Sequence, residues 1–187
     1  MIKQFVFSND NLKHVGKILA KYPAERKKSA VLPLLDLAQR QNSGYLSQEI
    51  IEYVASLLEV HPVRVQEVAS FYTMFNLKPV GRYKIQVCGT TPCWLRGADQ
   101  IMKKCKDHLN IAEGETTADG KFTLTEVECL GACANAPVVQ VNDDYYEDLD
   151  EGSICNILAK LGDEKGDAIK KGSQANRKSS KPLEVNG

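Results

Sequence analysis

Four cysteines constrain this chain more than any other feature of its sequence. Cys88 and Cys93 have four residues between them, and Cys129 and Cys133 have three. Each pair lies in one short segment that carries glycine, with a proline inside the first segment and Pro137 soon after the second. The fold has to bring these two distant segments together if all four thiols serve one site.

Two loops that each supply two thiolates are typical of proteins that hold a [2Fe-2S] cluster. Because each pair lies within one short loop, we assign Cys88 and Cys93 to one iron, and Cys129 and Cys133 to the other. The glycines let the backbone turn N–H groups toward the sulfurs, which stabilises the charge added on reduction. No proton-transfer or nucleophilic group accompanies the cysteines, so we predict an electron relay and no catalytic residue.

Two other uses of these cysteines stay open on spacing alone. A structural zinc site with four cysteines usually has tight Cys-x2-Cys knuckles, and neither pair has that spacing. A redox disulfide between Cys88 and Cys93 would suit a thioredoxin-like context, but that chemistry uses Cys-x2-Cys at a helix start and needs no second pair. The first alternative makes the chain a zinc-stabilised assembly module.

The other residues with metal-binding or redox chemistry are predicted to be structural. Cys105 and Cys155 lie on apolar helix faces, where a free cysteine behaves as a small hydrophobe. Three histidines without partner spacing are interpreted as surface or packing residues: His14, His61 and His108. Three aromatic residues are interpreted as packing residues: Trp94, Tyr145 and Tyr146. An acidic set is interpreted as a solvated turn and helix start, with a partner contact as the alternative: Asp143, Asp144, Glu147, Asp148, Asp150 and Glu151.

Composition narrows the function classes. The chain has 187 residues, a formal net charge of zero and 26% charged residues, so nothing indicates binding to nucleic acid or to an anionic membrane. Its apolar runs, such as Ala30–Leu35, are far shorter than the roughly 20 residues of a membrane span. The first ten residues resemble neither a secretory signal nor a mitochondrial presequence. We expect a soluble bacterial cytoplasmic protein, or one whose targeting segment has been removed, in which cysteines bind metal.

Helical periodicity predicts a small all-α bundle of four helices over residues 1–79. The first helix follows the cap-type Ser8, and the second begins near Ser29. Ser47 is expected to cap the third helix, and Pro62 suits the first turn of the fourth. The predicted apolar faces are Leu12, Val15, Ile18 and Leu19; Val31, Leu34, Leu35 and Ala38; Ile50, Ile51, Val54, Leu57 and Leu58; and Val65, Val68, Ala69 and Tyr72.

Residues 80–162 are predicted to form an α/β unit of thioredoxin-like order. One strand ends at Cys88 and a second ends at Cys129, so both cysteine loops leave the carboxyl ends of strands. A helix that starts at Cys93 would turn its free N–H groups toward an anionic cluster. Its predicted apolar face is Leu95, Ala98, Ile101, Met102 and Cys105.

A hairpin and a helix complete the predicted unit. Strands at Val138–Val141 and Tyr145–Glu147 flank a turn at residues 142–144. Asp150 is expected to cap the last helix, whose apolar face is Ile154, Ile157, Leu158 and Leu161. Residues 163–187 have no aromatic residue and many Lys, Ser, Gly and Asn, so we predict a disordered tail.

Several runs are distinctive in combination. Besides the two cysteine motifs they are Ser29–Leu35, Val68–Phe75, Val87–Arg96, Asn135–Pro137 and Asp143–Leu149. Over about residues 12–162 the chain thereby resembles the NuoE family of subunits of respiratory complex I, the NADH:quinone oxidoreductase. No ligand position departs from the family's pattern.

The resemblance implies a thioredoxin-like [2Fe-2S] ferredoxin domain preceded by a helical segment. In that family Cys88, Cys93, Cys129 and Cys133 would be the cluster ligands, and the helical segment would pack on a partner subunit that carries FMN and binds NADH. It also implies a peripheral location on the inner face of the bacterial plasma membrane, or on the matrix side in mitochondria. The alternative is the equivalent small subunit of an NAD-linked formate dehydrogenase or hydrogenase.

Overall fold

The structure is a computed structural model that describes residues 5–163. The predicted tail, apart from Asp163, lies outside the described residues. The chain divides into two units, Met1–Val80 and Gly81–Gly187. In the first unit the helices are α1 (Asn9–Leu19), α2 (Val31–Gln41), α3 (Gln48–Leu58) and α4 (Pro62–Phe71). In the second the elements are β1 (Tyr83–Cys88), α5 (Thr91–Leu95), α6 (Ala98–Leu109), β2 (Phe122–Val127), β3 (Val139–Val141), β4 (Asp144–Tyr146) and α7 (Glu151–Gly162).

The four predicted helices of the first unit are confirmed, and their apolar faces meet in one core. Leu34, Ile50 and Val65 are fully buried there, as the helical spacing of apolar residues requires. Ser8 caps α1 by accepting a hydrogen bond from the Asn11 N–H. A 3-10 helix at Ala24–Ala30, which periodicity did not predict, precedes α2.

Some details of this unit differ from the prediction. Ser47 occupies the N-cap position of α3, but its side chain makes no capping hydrogen bond. His61 is exposed, as expected of a surface residue, but it also caps α4, because its Nδ1 accepts the Val63 N–H at 3.3 Å. Leu12 and Tyr72 were both predicted to lie on apolar faces, but both are exposed. Tyr72 falls just beyond the end of α4, where the backbone becomes extended.

The second unit contains a mixed sheet with the strand order β2-β1-β3-β4. Strands β1 and β2 are parallel, with Cys88 opposite Val127, and β3 runs antiparallel to β1. This α/β arrangement confirms the predicted fold class. Because β1 and β2 are parallel, the segments that follow them leave the same edge of the sheet. Both cysteine loops therefore start at that edge.

One long helix was predicted after Cys93, and this prediction is wrong. The segment is two helices, because Gly97 adopts a φ of 97° between α5 and α6, a conformation that glycine adopts without steric cost. Leu95, predicted to be on the apolar face, is 70% exposed at the end of α5. The break confines Cys93 to a helix of five residues.

The remaining elements are close to the prediction. Strand β2 ends at Val127 rather than at Cys129, and the second strand of the hairpin is Asp144–Tyr146. Asp150 caps α7 in a capping box with Ser153, as expected. The core of this unit includes four fully buried aliphatic side chains from the sheet and α7: Ile85, Leu124, Ile154 and Leu158. Within residues 5–163, no helix is both long and apolar enough to cross a bilayer.

Candidate metal centre

The first cysteine loop, residues 88–93, is built into regular structure. Cys88 is the last residue of β1, and its backbone N–H donates to the Val138 carbonyl at 3.1 Å. Cys93 lies inside α5. Both thiols are 1% exposed, and the apolar side chains of Ala98 and Val138 pack in the same cluster with them. Regular secondary structure and apolar packing therefore fix the positions of both cysteines of this pair.

The second cysteine loop, residues 129–133, has no regular structure until a 3-10 turn begins at Cys133. Both of its cysteines are exposed. Their Sγ atoms lie 3.5 Å apart, and tetrahedral thiolates bound at about 2.3 Å, as on zinc, lie about 3.7 Å apart. Gly131, at a φ of 80°, directs its N–H to the Cys129 sulfur at 3.4 Å. This pair is spaced as two ligands of one metal ion.

Hydrogen bonds make the thiols within each pair unequal. Burial opposes the Cys88 thiolate, yet the Thr90 hydroxyl and the Leu130 N–H donate to it and lower its pKa. The Gly131 N–H, followed by the Cys133 thiol, lowers the pKa of Cys129. Burial, followed by the neighbouring Cys88, raises the pKa of Cys93 to about 11.

The pKa of the Cys133 thiol is raised, like that of Cys93. Its hydrogen bond to Cys129 is the main reason that its pKa is raised, and partial desolvation adds to it. In each pair, then, the thiol with the raised pKa donates to the sulfur with the lowered pKa, although Cys93 also accepts a hydrogen bond from the Val138 backbone. Negative charge on the sulfur with the lowered pKa is stabilised by hydrogen bonds that are already in place.

The two loops pack against each other. Leu130 and Ala132 of the second loop pack against the apolar cluster that contains Cys88 and Cys93. Within the first loop, the Thr90 hydroxyl lies 3.3 Å from the Cys88 sulfur. Sequence reasoning missed Thr90, although a hydroxyl residue two positions after a ligand cysteine is a pattern that could have indicated it. The four predicted ligand positions thus lie in loops that contact one another.

Side chains beyond the cysteines hold the second loop. The Tyr145 hydroxyl donates to the Leu130 carbonyl at 2.8 Å, so Tyr145 does more than the predicted packing. Asn135 is buried and donates to the Asp148 carboxylate at 2.8 Å, while the Asp148 N–H donates back to the Asn135 carbonyl at 2.7 Å. These three hydrogen bonds join the cysteine segment to the hairpin and the residues that follow it.

The other candidate residues lie outside this site. Burial, followed by the charge of Cys155, raises the pKa of Cys105 to about 12, and Cys105 is fully buried, as predicted. Trp94 was expected to pack but is 55% exposed on α5. The acidic set is mostly solvated, except that the carboxylate oxygens of Glu147 are buried.

A site for a single metal ion would need a tighter group of ligands. In the part of the chain that the structure describes, no three His, Cys, Asp or Glu side chains converge as one mononuclear metal would need. A [2Fe-2S] cluster has a different requirement, because its four cysteines are shared between two irons.

A family model described as thioredoxin-like [2Fe-2S] ferredoxin matches residues 15–162. The chain belongs to this ferredoxin family. Among its relatives, an NADH-quinone oxidoreductase subunit of Rickettsia prowazekii is 62% identical over 154 residues, which cover 82% of this chain and 87% of that protein. The mitochondrial NADH dehydrogenase [ubiquinone] flavoprotein 2 of Dictyostelium discoideum is 53% identical over 174 residues, which cover 93% of this chain and 70% of that protein.

A solved structure of this ferredoxin's fold is the air-oxidised NAD+-reducing [NiFe]-hydrogenase. It matches with a TM-score of 0.62 and 23% identity, over 70% of this chain and 23% of that chain. At this identity the match shows the fold alone.

The residues present in this ferredoxin fit the cluster that names its family. The donor set is four thiols in two pairs, and the exposed pair has its sulfurs 3.5 Å apart. The backbone N–H of Gly131 is directed at the Cys129 sulfur, which suits an anionic cluster. Apolar residues cover the inner pair.

Proposed function

We propose that this protein is the electron-transfer subunit of a respiratory NADH:quinone oxidoreductase. Cys88, Cys93, Cys129 and Cys133 hold its single [2Fe-2S] cluster. The observation that carries the proposal is the meeting of two cysteine loops at one edge of the sheet, where Leu130 and Ala132 of the second loop pack against the apolar cluster that contains Cys88 and Cys93. The 62% identity to the Rickettsia prowazekii subunit supports the choice of complex.

A bound [2Fe-2S] cluster accepts and returns one electron at a time. The residues of this chain stabilise the added charge and shield the site from water. The Gly131 N–H donates to the Cys129 sulfur, and the apolar side chains behind Cys88 and Cys93 keep solvent from the inner pair. The exposed outer pair leaves one side open to an electron donor or acceptor. We assign no catalytic residue to the chain.

The electron donor in this proposal is the flavin of a partner subunit. NADH reduces FMN there, and single electrons pass between that flavin and the cluster of this chain. The helical unit is the docking element, because it exposes apolar side chains that a partner would cover: Val63, Phe71, Tyr72, Met74 and Leu77. The assembled complex holds the chain peripherally on the inner face of the plasma membrane, or on the matrix side in mitochondria.

Anaerobic purification of the full chain tests the cofactor. We expect iron and acid-labile sulfide in equal amounts, with visible absorption that bleaches when dithionite is added. A colourless protein with bound zinc would contradict the proposal and indicate a zinc-stabilised structural module.

Identification of the subunits that co-purify tests the complex. An FMN-containing, NADH-oxidising chain together with quinone-reducing subunits is expected, whereas a hydrogenase or formate dehydrogenase chain would contradict the assignment.

A further inference from the structure

The side chain of Glu126, in β2, lies against the first cysteine loop. Val87 is its partner across the two parallel strands, and the next residue of β2, Val127, accepts the Gly89 N–H at 3.0 Å. A Cβ on Gly89 would lie 2.7 Å from Cδ of Glu126 and would overlap its Oε1. A carboxylate therefore lies beside the residue that follows Cys88.

This close approach accounts for the glycine at position 89. Gly89 is not among the glycines with positive φ, so its backbone conformation is open to other residues. A larger residue would lack space instead, because the Glu126 carboxylate lies where its side chain would be. The small size of Gly89 thus lets a negative charge approach a ligand cysteine.

The charge of Glu126 has no counterion at ion-pair distance among residues 5–163. A cleft of about 390 Å³ lies between this part of the sheet and α6, and Glu126 lines it together with Lys103 and Lys106. The ammonium group of Lys106 lies 3.9 Å from the Glu113 carboxylate instead. Glu126 is exposed, and an exposed carboxylate is negatively charged at pH 7.

We propose that the Glu126 carboxylate lowers the reduction potential of the [2Fe-2S] cluster, as a fixed negative charge beside the first cysteine loop. The inference rests on the proposed cluster function. Reduction adds one negative charge to an anionic centre, so a nearby carboxylate destabilises the reduced form more than the oxidised form. Glu126 is not a ligand in this proposal. It acts through space, and salt screens its effect.

The test compares variants of the full chain, each loaded anaerobically with iron and sulfide. Glu126→Gln removes the charge and Glu126→Lys reverses it, whereas Glu126→Asp keeps it. Asp119→Asn is the matched control, because it neutralises an exposed residue in the turn before β2, at the opposite end of that strand from Glu126. Spectroelectrochemical titration at low and at high salt gives the potential, and electron paramagnetic resonance of the dithionite-reduced protein gives the cluster signature.

For Glu126→Gln at low salt we expect an increase of about two- to fivefold in the ratio of reduced to oxidised cluster at a fixed potential, since water weakens the effect of an exposed charge. For a one-electron couple this equals a shift of about 20 to 40 mV to more positive values. Glu126→Lys should shift the potential about twice as far, because it changes the charge twice as much. Glu126→Asp and Asp119→Asn should titrate with the wild-type protein. At 1 M salt, where the Debye length is about 3 Å, the shifts should shrink.

Three outcomes would overturn the proposal while the cluster function stands. The first is a wild-type potential in Glu126→Gln. The second is an equal shift in the Gln, Lys and Asp variants, or a shift that persists unchanged at 1 M salt, because packing over Gly89 would then matter rather than charge. The third is loss of the cluster in Glu126→Gln, which would show a structural role. A wild-type protein that takes up no cluster overturns the proposed function as well, so the two failures are distinguishable.

Discussion

The two cysteine loops reach the same edge of the sheet by different means. Backbone hydrogen bonds hold the first loop. The Cys88 N–H donates to the Val138 carbonyl, and the Gly89 N–H donates to the Val127 carbonyl at 3.0 Å. The second loop lies between regular elements and is held by side chains, chiefly Tyr145 and Asn135. Its cysteines are exposed, whereas those of the first loop are 1% exposed.

This difference teaches how a surface site can be both anchored and accessible. The sheet and the core beneath it set the position of the buried pair, so the geometry of that pair is as stable as the fold. The exposed pair is placed by a few hydrogen bonds, each of which stabilises a protein by only about 1 kcal/mol. We therefore expect substitutions near the two loops to differ in kind, with effects that range from loss of the cluster to small changes in stability.

The largest effect is expected from removal of a ligand. Cys93→Ala and Cys129→Ala should each lose the cluster completely, because each iron then lacks one of its thiolates. The two variants should differ as apoproteins: Cys93→Ala leaves a gap in a buried site and lowers the free energy of unfolding, whereas Cys129→Ala does not. Iron analysis and urea titration measure the two effects.

The control for the ligand variants is Cys155→Ala on α7, where a half-buried cysteine lies outside the site. It should retain full iron and sulfide. Full iron content in Cys93→Ala or Cys129→Ala would contradict the ligand assignment.

The second effect concerns the scaffold beneath each loop. Ile85 is fully buried in β1, and Ile85→Ala should lower the free energy of unfolding by about 2–5 kcal/mol. Leu130→Ala, in the second loop, should cost less than half as much, because Leu130 is only partly buried. Urea denaturation of the two apoproteins gives the comparison. Equal losses would show that the second loop is as much a part of the core as the first.

The third effect isolates one contact of the second loop. Tyr145→Phe deletes the hydroxyl that donates to Leu130 and should cost about 1 kcal/mol. The loosened loop should release iron to a chelator faster than the wild type, which the decay of visible absorption measures. Tyr53→Phe in the helical unit is the control. An unchanged rate in Tyr145→Phe would show that the second loop is held by other contacts.

The smallest effect is expected far from both loops. The Ser153 N–H donates to Asp150 and lowers the pKa of that carboxyl, so the ionised cap stabilises α7 above the unfolded-state pKa of about 3.9. Its contribution is lost as the pH falls through the lower, folded-state pKa. Asp150→Ala should therefore lower the melting temperature at pH 7, and the difference from wild type should shrink in acid. Iron content should not change, and a difference that persists at pH 2 would contradict this account.

Much of this protein could be predicted because its patterns are local. Apolar residues at helical spacing indicated α1 to α4, and alternation indicated β1 and β2. Those patterns work because one face of each element must be buried. The break at Gly97 was missed, since α5 and α6 carry apolar residues that continue at helical spacing across it, and only the φ of 97° separates them.

The supporting contacts of the site could not be predicted in the same way. The hydrogen bonds of Tyr145 with Leu130 and of Asn135 with Asp148 join residues that lie in different segments. A hydrogen bond between distant segments leaves no periodic trace in the sequence. His61 is the surface residue that was predicted, but its role as the cap of α4 was not predicted.

The sequence by itself determined the donor chemistry: four cysteines in two closely spaced pairs, and the strands that carry them toward one edge. Those properties depend on residue type and short spacing, which are written directly in the chain. Only the tertiary structure decided that one pair is buried and the other exposed, and that Tyr145 and Asn135 hold the segment of the exposed pair. The physical reason is that burial and hydrogen bonds of this kind exist only after segments distant in sequence have packed together.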